Sequence, residues 1–250
     1  MLNPKSYKTI FNLLKFEDYL RLLFTKNKFS SVQLKNGIHL KFRNKTIDDL
    51  LVAEYVFIDK FHIPPFEIAK NPIILDLGSN IGCTILDYNR TYPNAKIVGY
   101  EMDKGNFALC QENISNIKTA KVYNKAIWFK SRKVAYEAST NNDSFTAKDI
   151  SESDKNRNNQ IIETITIQEI LHQHQIETVD FMKIDIEGAE IEIFEKGSIE
   201  WLKKVNALHI EIHDKSKIKN FIDILKSYNF EVVKDSKHWS ALFARKGLNK

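Results

Sequence analysis

The spacing of apolar residues divides the chain into an irregular N-terminal part and a regular remainder. Apolar positions at helical spacing predict a helix within the first 24 residues, with one face buried. The segments SSVQL and GIHLKF flank Asn36 and Gly37, which predicts a β-hairpin. A second helix is predicted at DDLLVAEYVFI, which follows Thr46 and ends before Pro64. We therefore expect residues 1–70 to form an N-terminal extension of helix, hairpin and helix.

From Ile73 onward, strand and helix patterns alternate. Strands are predicted at IILDL, KIVGYE, AKVYNKAIW (120–128), VDFMKID and VNALHIEIH, with helices in the segments between them. The last two apolar stretches, FEVVKD and HWSALFARK, predict an antiparallel pair. This order predicts an α/β fold with a doubly wound, mainly parallel sheet over residues 71–250.

One segment interrupts this alternation. Between Lys130 and Ile162, VAYEA predicts a short strand, but TNNDSFTAKDISESDKNRNNQ is polar and has almost no core-forming residues. We expect a loop or insertion here, either a surface loop without function or a lid over a substrate.

The composition is that of an ordinary soluble protein. Of the 250 residues, 43% are hydrophobic and 28% are charged, which argues against extensive disorder. The net charge is +5, but the lysines are spread along the chain without a compact basic block, so no nucleic-acid partner is expected.

Cysteine content and the N-terminal stretch bear on location. Cys83 and Cys110 are the only cysteines and lack CxxC spacing, so we expect no disulfide framework, no structural zinc site and a reducing, cytoplasmic location. Charged residues interrupt the N-terminal apolar stretch too often for a signal peptide or a membrane span. Its helix is expected to pack on its own domain; contact with a membrane surface or a partner chain is the alternative.

The segment DLGSNIG joins the first strand of the regular part to a helix and has the glycines of a ligand-binding turn. Gly78 opens the turn, Gly82 lets the helix pack closely, and Asn80 tolerates the left-handed region. Glu101 ends the next strand, where an acid can accept hydrogen bonds from both hydroxyls of a ribose. Asp76 is expected under the turn, either touching the cofactor through water or capping amides of the loop. The combination predicts a nucleotide-type cofactor site.

Ionisable residues alternate with apolar ones on two strands that should be buried. They are Lys183, Asp185 and Glu187 in VDFMKIDIEGAE, and His209, Glu211 and His213 in ALHIEIHD. Because burying an unpaired charge is costly, these groups must pair or line a cleft. Pairing predicts a salt bridge between Lys183 and Glu211. The residues nearest the carboxyl ends of their strands are expected to line a ligand cleft, as in open α/β sheets.

Four segments together resemble a known family. ILDLGSNIG, VGYEMD, VDFMKIDIEGAEIEIF and LHIEIHD look like the glycine loop, ribose-binding acid, D-x-E-G-A-E block and terminal E-x-H strand of the FkbM-type methyltransferases. The resemblance covers about residues 46–246. It implies a seven-stranded Rossmann-like sheet with an antiparallel last strand and S-adenosylmethionine as cofactor. The implied acceptor is a hydroxyl of a sugar, a glycan or a related metabolite, whose identity the unmatched segments 1–45 and 130–162 leave open.

The resemblance also implies roles for the candidate residues. Gly78, Asn80 and Gly82 would position the methionine end of the cofactor, Glu101 its ribose, and Asn124 to Ala126 its adenine. Because the sulfonium already activates the methyl group, the protein must align the acceptor oxygen and remove its proton. His213 is the predicted base, with Glu211 orienting it and Glu187 as the rival. A Mg²⁺ ion on Asp185, Glu187 and His213 is a weaker alternative.

Two other classes of protein remain open. A nicotinamide oxidoreductase also needs a glycine loop and an acidic strand end, but GSNIG lacks the G-x-G-x-x-G spacing. A non-catalytic module that binds the cofactor, or that acts as a scaffold in a glycan-assembly system through its N-terminal helix, is the other alternative.

Overall fold

The computed structural model describes most of the chain and both predicted parts. The described residues are 11–18, 20, 29–43, 48–136, 147–149, 160–236 and 238–247. The helix predicted within the first 24 residues falls mostly outside these ranges; residues 11–13 and 16–18 are helical.

Thirteen strands are described. In chain order β1 to β13 they are Phe29–Gln33, His39–Arg43, Ile73–Leu77, Lys96–Tyr100, Ala120–Tyr123, Ala126–Ile127, Lys133–Tyr136, Ala147–Asp149, Gln160–Ile165, Phe181–Ile184, Ala207–Glu211, Phe230–Lys234 and Ala241–Lys246. Six α-helices, α1 to α6, lie between them. They are Asp48–Glu54, Cys83–Thr91, Lys104–Asn113, Ile167–Gln173, Ala189–Lys196 and Ile218–Ser227.

A seven-stranded sheet in the order β12-β13-β11-β10-β3-β4-β5 forms the centre of the protein. The five strands from β11 to β5 run parallel, and β13 lies antiparallel between β11 and β12. The predicted α/β fold and the predicted final antiparallel pair are therefore confirmed. Because all parallel strands end at one edge of the sheet, the loops after β3, β4, β10 and β11 meet there.

The N-terminal extension packs on this sheet domain. β1 and β2 form the predicted antiparallel hairpin, and α1 continues into a π-helical turn over Tyr55–Asp59. Buried side chains of the extension, such as Leu40 and Val56, share one apolar cluster with Ile81 and Leu109 of the sheet domain. The extension is thereby placed beside the glycine turn that follows β3.

The region after β5 differs from the prediction. The single strand expected over 120–128 is instead β5 and β6, and the two-residue β6 pairs with β9 in a second sheet of order β6-β9-β7-β8. Lys133–Tyr136 forms β7, where a short strand is predicted, but the expected loop is wrong for residues 147–149, which form β8, and for residues 160–162, which belong to β9. Burial alternates along most of β9, with Ile161 and Glu163 exposed and Ile162 and Thr164 buried. Because the exposed Ile161 is apolar and the buried Thr164 is polar, the sequence does not show this alternation. Residues 137–146 and 150–159 of the insertion lie outside the described residues.

The turn after β3 leads into α2, whose approach to α3 depends on Gly82. This glycine has φ +90°, and a Cβ atom added to it would lie 2.9 Å from Cys110 Sγ and 3.2 Å from Ile114 Cγ2. A side chain at this position would push α2 away from α3. In the described part of the chain, no helix is both long and apolar enough to span a membrane.

Substituting alanine at two left-handed glycines separates backbone strain from loss of packing. A Cβ atom at Gly37, with φ +87°, would meet nothing within 4 Å. We expect Gly37→Ala to lower the free energy of unfolding by about 1 kcal/mol, because only the backbone is strained. Gly82→Ala should lower it by about 1–3 kcal/mol more, because the methyl group overpacks the contact between α2 and α3. Urea denaturation measures both; equal losses would contradict the packing role of Gly82.

Candidate active site

The glycine turn after β3 brings its backbone against the loop after β10. Gly78 has φ +87°, and a Cβ atom there would lie 1.8 Å from the carbonyl oxygen of Asp185. No side chain fits this space, so only glycine allows the two loops to approach so closely. Asn80 is also left-handed, with φ 47°. The turn therefore presents its backbone directly to the carboxyl edge of the sheet.

Glu101, directly after β4, closes this turn from the other side. Its Oε2 accepts a hydrogen bond from the backbone N–H of Asn80 at 2.8 Å, and its Oε1 accepts one from the N–H of Asp103 at 2.8 Å. The residue is only 6% exposed. Burial raises the pKa of Glu101 to about 7, although the two backbone hydrogen bonds act in the opposite direction. Its carboxyl group therefore changes protonation near neutral pH.

A cleft opens between these two strand ends. The residues that line it include Gly78, Asn80, Glu101, Met102, Ala126 and Ile186. Among the described residues, the buried Oδ1 atom of Asn80 has no hydrogen-bond partner. An acceptor atom left without a donor in a cleft fits a ligand that supplies one, such as an amino group.

Two further residues predicted to bind the cofactor support the cleft from behind. The side-chain amide of Asn124 donates to the carbonyl oxygens of Glu101 and Met102, at 2.9 Å each. Asp76 is fully buried under the turn, where its Oδ2 accepts a hydrogen bond from the Thr84 hydroxyl at 2.6 Å. Neither residue is among those that line the cleft.

Lys183 is buried between the ends of β3 and β10. Its Nζ lies 3.2 Å from Asp185 Oδ2 and 3.7 Å from Asp76 Oδ1, and it donates to the carbonyl oxygen of Gly78 at 3.1 Å. The predicted salt bridge between Lys183 and Glu211 is therefore wrong. The ammonium group pairs instead with Asp76 of β3 and with Asp185, directly after β10. Burial lowers the pKa of Lys183, but the two carboxylates outweigh this and raise it.

A second cleft, which we call the acceptor cleft, adjoins the first at the ends of β10 and β11. It has about 1610 Å³ of open space and shares Gly78, Asn80, Asp185 and Glu187 with the first. Acidic side chains line its sheet side, and apolar side chains of the N-terminal extension line the other. The latter are Val52, Tyr55, Val56 and Phe61. An acceptor bound here would meet a cofactor at the shared residues.

His213, after β11, is held among three carboxylates. Its Nδ1 lies 3.1 Å from Glu190 Oε1, and its Nε2 lies 3.3 Å from Glu187 Oε2 and 3.7 Å from Glu211 Oε1. Burial lowers the pKa of His213, but the hydrogen bond and negative charge of Glu190, followed by the charge of Glu187, raise it to about 9. An imidazole that is already protonated at neutral pH cannot accept a proton. The predicted role of His213 as the general base therefore does not fit this arrangement.

Sequence reasoning missed Glu190, which organises this cluster. It is fully buried and accepts hydrogen bonds from the backbone N–H groups of His213 and Gly188, each at 2.9 Å. A signal was present, because Glu190 lies three and four positions before Ile193 and Phe194, on the buried face of α5. An acid on that face must have a buried partner.

The groups that could hold a metal ion differ from the predicted set. Ligand atoms of Asp185, Glu211 and His213 lie within 4.8 Å of one another, so Glu211 replaces Glu187 in the cluster. Two carboxylates and an imidazole suit a divalent cation such as Mg²⁺ only in part, because magnesium prefers oxygen ligands. The ammonium group of Lys183 also already neutralises Asp185 at 3.2 Å.

Burial raises the pKa of Glu211, and the neighbouring charge of Asp185 raises it further. Its Oε1 accepts a hydrogen bond from the Ser240 hydroxyl at 3.2 Å, and its side chain lines the acceptor cleft. Glu211 thus combines contact with the cleft and a pKa shifted towards neutral pH.

The sheet order and the cleft at its carboxyl edge are those of the class I methyltransferase fold. The family model described as "Methyltransferase FkbM domain" matches residues 76–232, and the chain belongs to this family. Family membership agrees with the predicted methyltransferase rather than with the nicotinamide oxidoreductase.

Named relatives and solved structures agree with this family. The chain is 23% identical to 2-O-methyltransferase NoeI of Sinorhizobium fredii, over 65% of this chain and 74% of NoeI. It is 24% identical to methyltransferase sdnD of Sordaria araneosa, over 75% of this chain and 86% of sdnD. The crystal structure of methyltransferase FkbM from Methylobacillus flagellatus shares the fold with a TM-score of 0.51 and 14% identity. That match covers 80% of this chain and 52%, about half, of the M. flagellatus chain.

Replacing Glu190 tests whether this buried carboxylate sets the charge of His213. Glu190→Gln removes the negative charge and keeps the size of the side chain, so we expect the pKa of His213 to fall from about 9 towards its ordinary value of 6.5. NMR titration of the histidine ring protons measures it. Glu192, on the same helix, pairs with Lys196 and not with His213. The control Glu192→Gln should therefore leave the titration of His213 unchanged. An unchanged His213 pKa in Glu190→Gln would contradict the assignment.

Proposed function

We propose that this chain transfers a methyl group from S-adenosylmethionine to a hydroxyl oxygen of a sugar, a glycan or a related hydroxylated metabolite. The observation that carries the proposal is the junction of Glu101 with the glycine turn, where an acid at the end of β4 is bonded to the backbone N–H of Asn80. An acid in this position suits the two hydroxyls of a ribose. The name of the relative NoeI, a 2-O-methyltransferase, supports oxygen as the acceptor atom.

Residues of the first cleft offer a partner for each part of the cofactor. Glu101 would accept hydrogen bonds from the ribose hydroxyls, and Asn80 Oδ1 would accept one from the ammonium group of the methionine part. Ala126, beside Lys125 and Ile127, lines the part of the cleft next to β5, where the adenine would lie. When bound, S-adenosylmethionine supplies an activated methyl group, and the protein residues have only to orient the acceptor and take its proton.

Glu211 is the residue that we propose as the general base. A base works best when its pKa lies near the working pH, and the pKa of Glu211 is raised from its ordinary value. The charged His213, at 3.7 Å, would stabilise the carboxylate form before proton transfer. Glu187 is the rival base, because it lines both clefts at their junction.

Binding of S-adenosylmethionine should depend on the protonation of Glu101. Its raised pKa of about 7 means that the carboxylate form is fully present only above this pH. We expect calorimetric affinity to weaken about tenfold between pH 8 and pH 6, because the protonated group loses acceptor capacity. Glu101→Gln should bind weakly at both pH values, whereas Glu177→Gln, at an exposed position, should behave as the wild type. No binding to the intact protein would overturn the proposed function.

Loss and restoration of methylation in cells tests turnover and the base together. Glycans and hydroxylated metabolites from cells without the protein should lack one methyl group by mass spectrometry. The wild-type chain should restore it, and Glu211→Gln should lower the rate at least about 100-fold while still binding S-adenosylmethionine. A larger loss of rate in Glu187→Gln than in Glu211→Gln would identify Glu187 as the general base instead. Full restoration by both variants would favour the non-catalytic module.

A further inference from the structure

Apolar side chains are exposed in one part of the N-terminal extension far more than elsewhere. Eight large hydrophobic side chains are exposed in the described residues, and five of them lie in two short segments of the extension. These five, which we call the apolar face, are Phe11, Phe16, Leu20, Tyr55 and Ile58, with exposures of 71, 66, 40, 45 and 48%. Single exposed apolar residues are normal, but a cluster indicates an interaction surface.

The two segments of the apolar face are joined in the fold. The side-chain amide of Asn12 donates to Glu54 Oε1 at 2.9 Å, directly before Tyr55. Leu13 and Leu14 are buried in the cluster shared with the sheet domain, so the neighbouring aromatic side chains point outward from an anchored segment. Lys35 Nζ lies 4.5 Å from the centre of the Phe11 ring, which adds a positive charge at the edge of the face.

The net positive charge of the protein comes from residues 1–43, which include the first segment of the apolar face. Residues 1–43 contain nine lysines and arginines but only Glu17 and Asp18 as acids, a net charge of +7. Because the whole chain carries +5, the remaining residues are slightly acidic. Lysines are spread throughout the sequence, but outside residues 1–43 the 30 acids outnumber the 28 lysines and arginines.

Aromatic and aliphatic side chains beside an excess of lysine fit the surface of an anionic bilayer. The apolar side chains insert at the boundary between headgroups and acyl chains, and each basic residue gains from the negative surface potential. We propose that the apolar face and the basic residues of the N-terminal extension bind this chain to anionic lipid membranes. Tyr55 also lines the acceptor cleft, so a membrane bound here lies beside the mouth of that cleft.

Sedimentation with lipid vesicles tests this proposal without cofactor or acceptor. The full chain should bind vesicles that contain phosphatidylglycerol, bind phosphatidylcholine vesicles at least about fivefold more weakly, and lose binding as salt rises. Phe16→Ser and Ile58→Ser, one in each segment, should each weaken binding about tenfold. Lys15→Glu should weaken it about fivefold, because Lys15 is exposed within the face.

Matched controls separate the face from general surface effects. Ile161→Ser and Val233→Ser remove side chains that are 52% and 54% exposed outside the extension, and Lys118→Glu reverses an exposed charge elsewhere. These three should bind vesicles as the wild type does, and thermal unfolding confirms that every variant is folded. Absence of binding to anionic vesicles, or equal losses in test and control variants, would overturn the proposal. If the wild-type chain binds no vesicles but forms a dimer that Phe16→Ser dissociates, the apolar face binds a second copy of the chain instead.

Discussion

A buried ammonium group holds the catalytic edge of the sheet together. Lys183 is 2% exposed and contacts Asp76 of β3, Asp185 after β10 and the carbonyl oxygen of Gly78 in the turn between them. Without this cation, the fully buried carboxyl group of Asp76 would lose its ionic partner, and removing one partner of a buried ion pair destabilises a protein by about 3–5 kcal/mol. The glycine turn, the end of β10 and both clefts therefore depend on one positive charge that reaches neither the surface nor the cofactor cleft.

Around this cation, two acids shape the loops in the same way. Glu101 accepts backbone hydrogen bonds from Asn80 and Asp103, and Glu190 accepts them from Gly188 and His213. Hydrogen bonds from an amide to a carboxylate are stronger than those between neutral groups, and they orient a loop without filling the cleft. Such loops are already organised before a ligand arrives, which suits a reaction in which alignment supplies most of the rate enhancement.

The sequence predicts the fold and the contact of the glycine turn with Glu101 well, because these follow from local patterns. Periodicity locates the strands, and the pairing of a glycine turn with Glu101 depends only on where β3 and β4 end. The charge on His213 could not be predicted, because it results from a carboxylate on α5 that is 23 residues away in sequence. The two-residue β6 and the partners of Lys183 likewise depend on contacts between distant segments, which no local pattern contains.

The arrangement of charge connects the acceptor cleft with the surface around it. The cleft is lined by four carboxylates, Asp59, Asp185, Glu187 and Glu211, and by one lysine, whereas the excess positive charge lies in residues 1–43 of the extension. Under the proposed membrane binding, an anionic headgroup would be attracted to these basic residues and disfavoured within the cleft. Hydroxyl groups of an uncharged acceptor can instead donate to these carboxylates. The proposed binding to a membrane and the proposed binding of an acceptor would thus make opposite electrostatic demands, which the proposals assign to two separate surfaces.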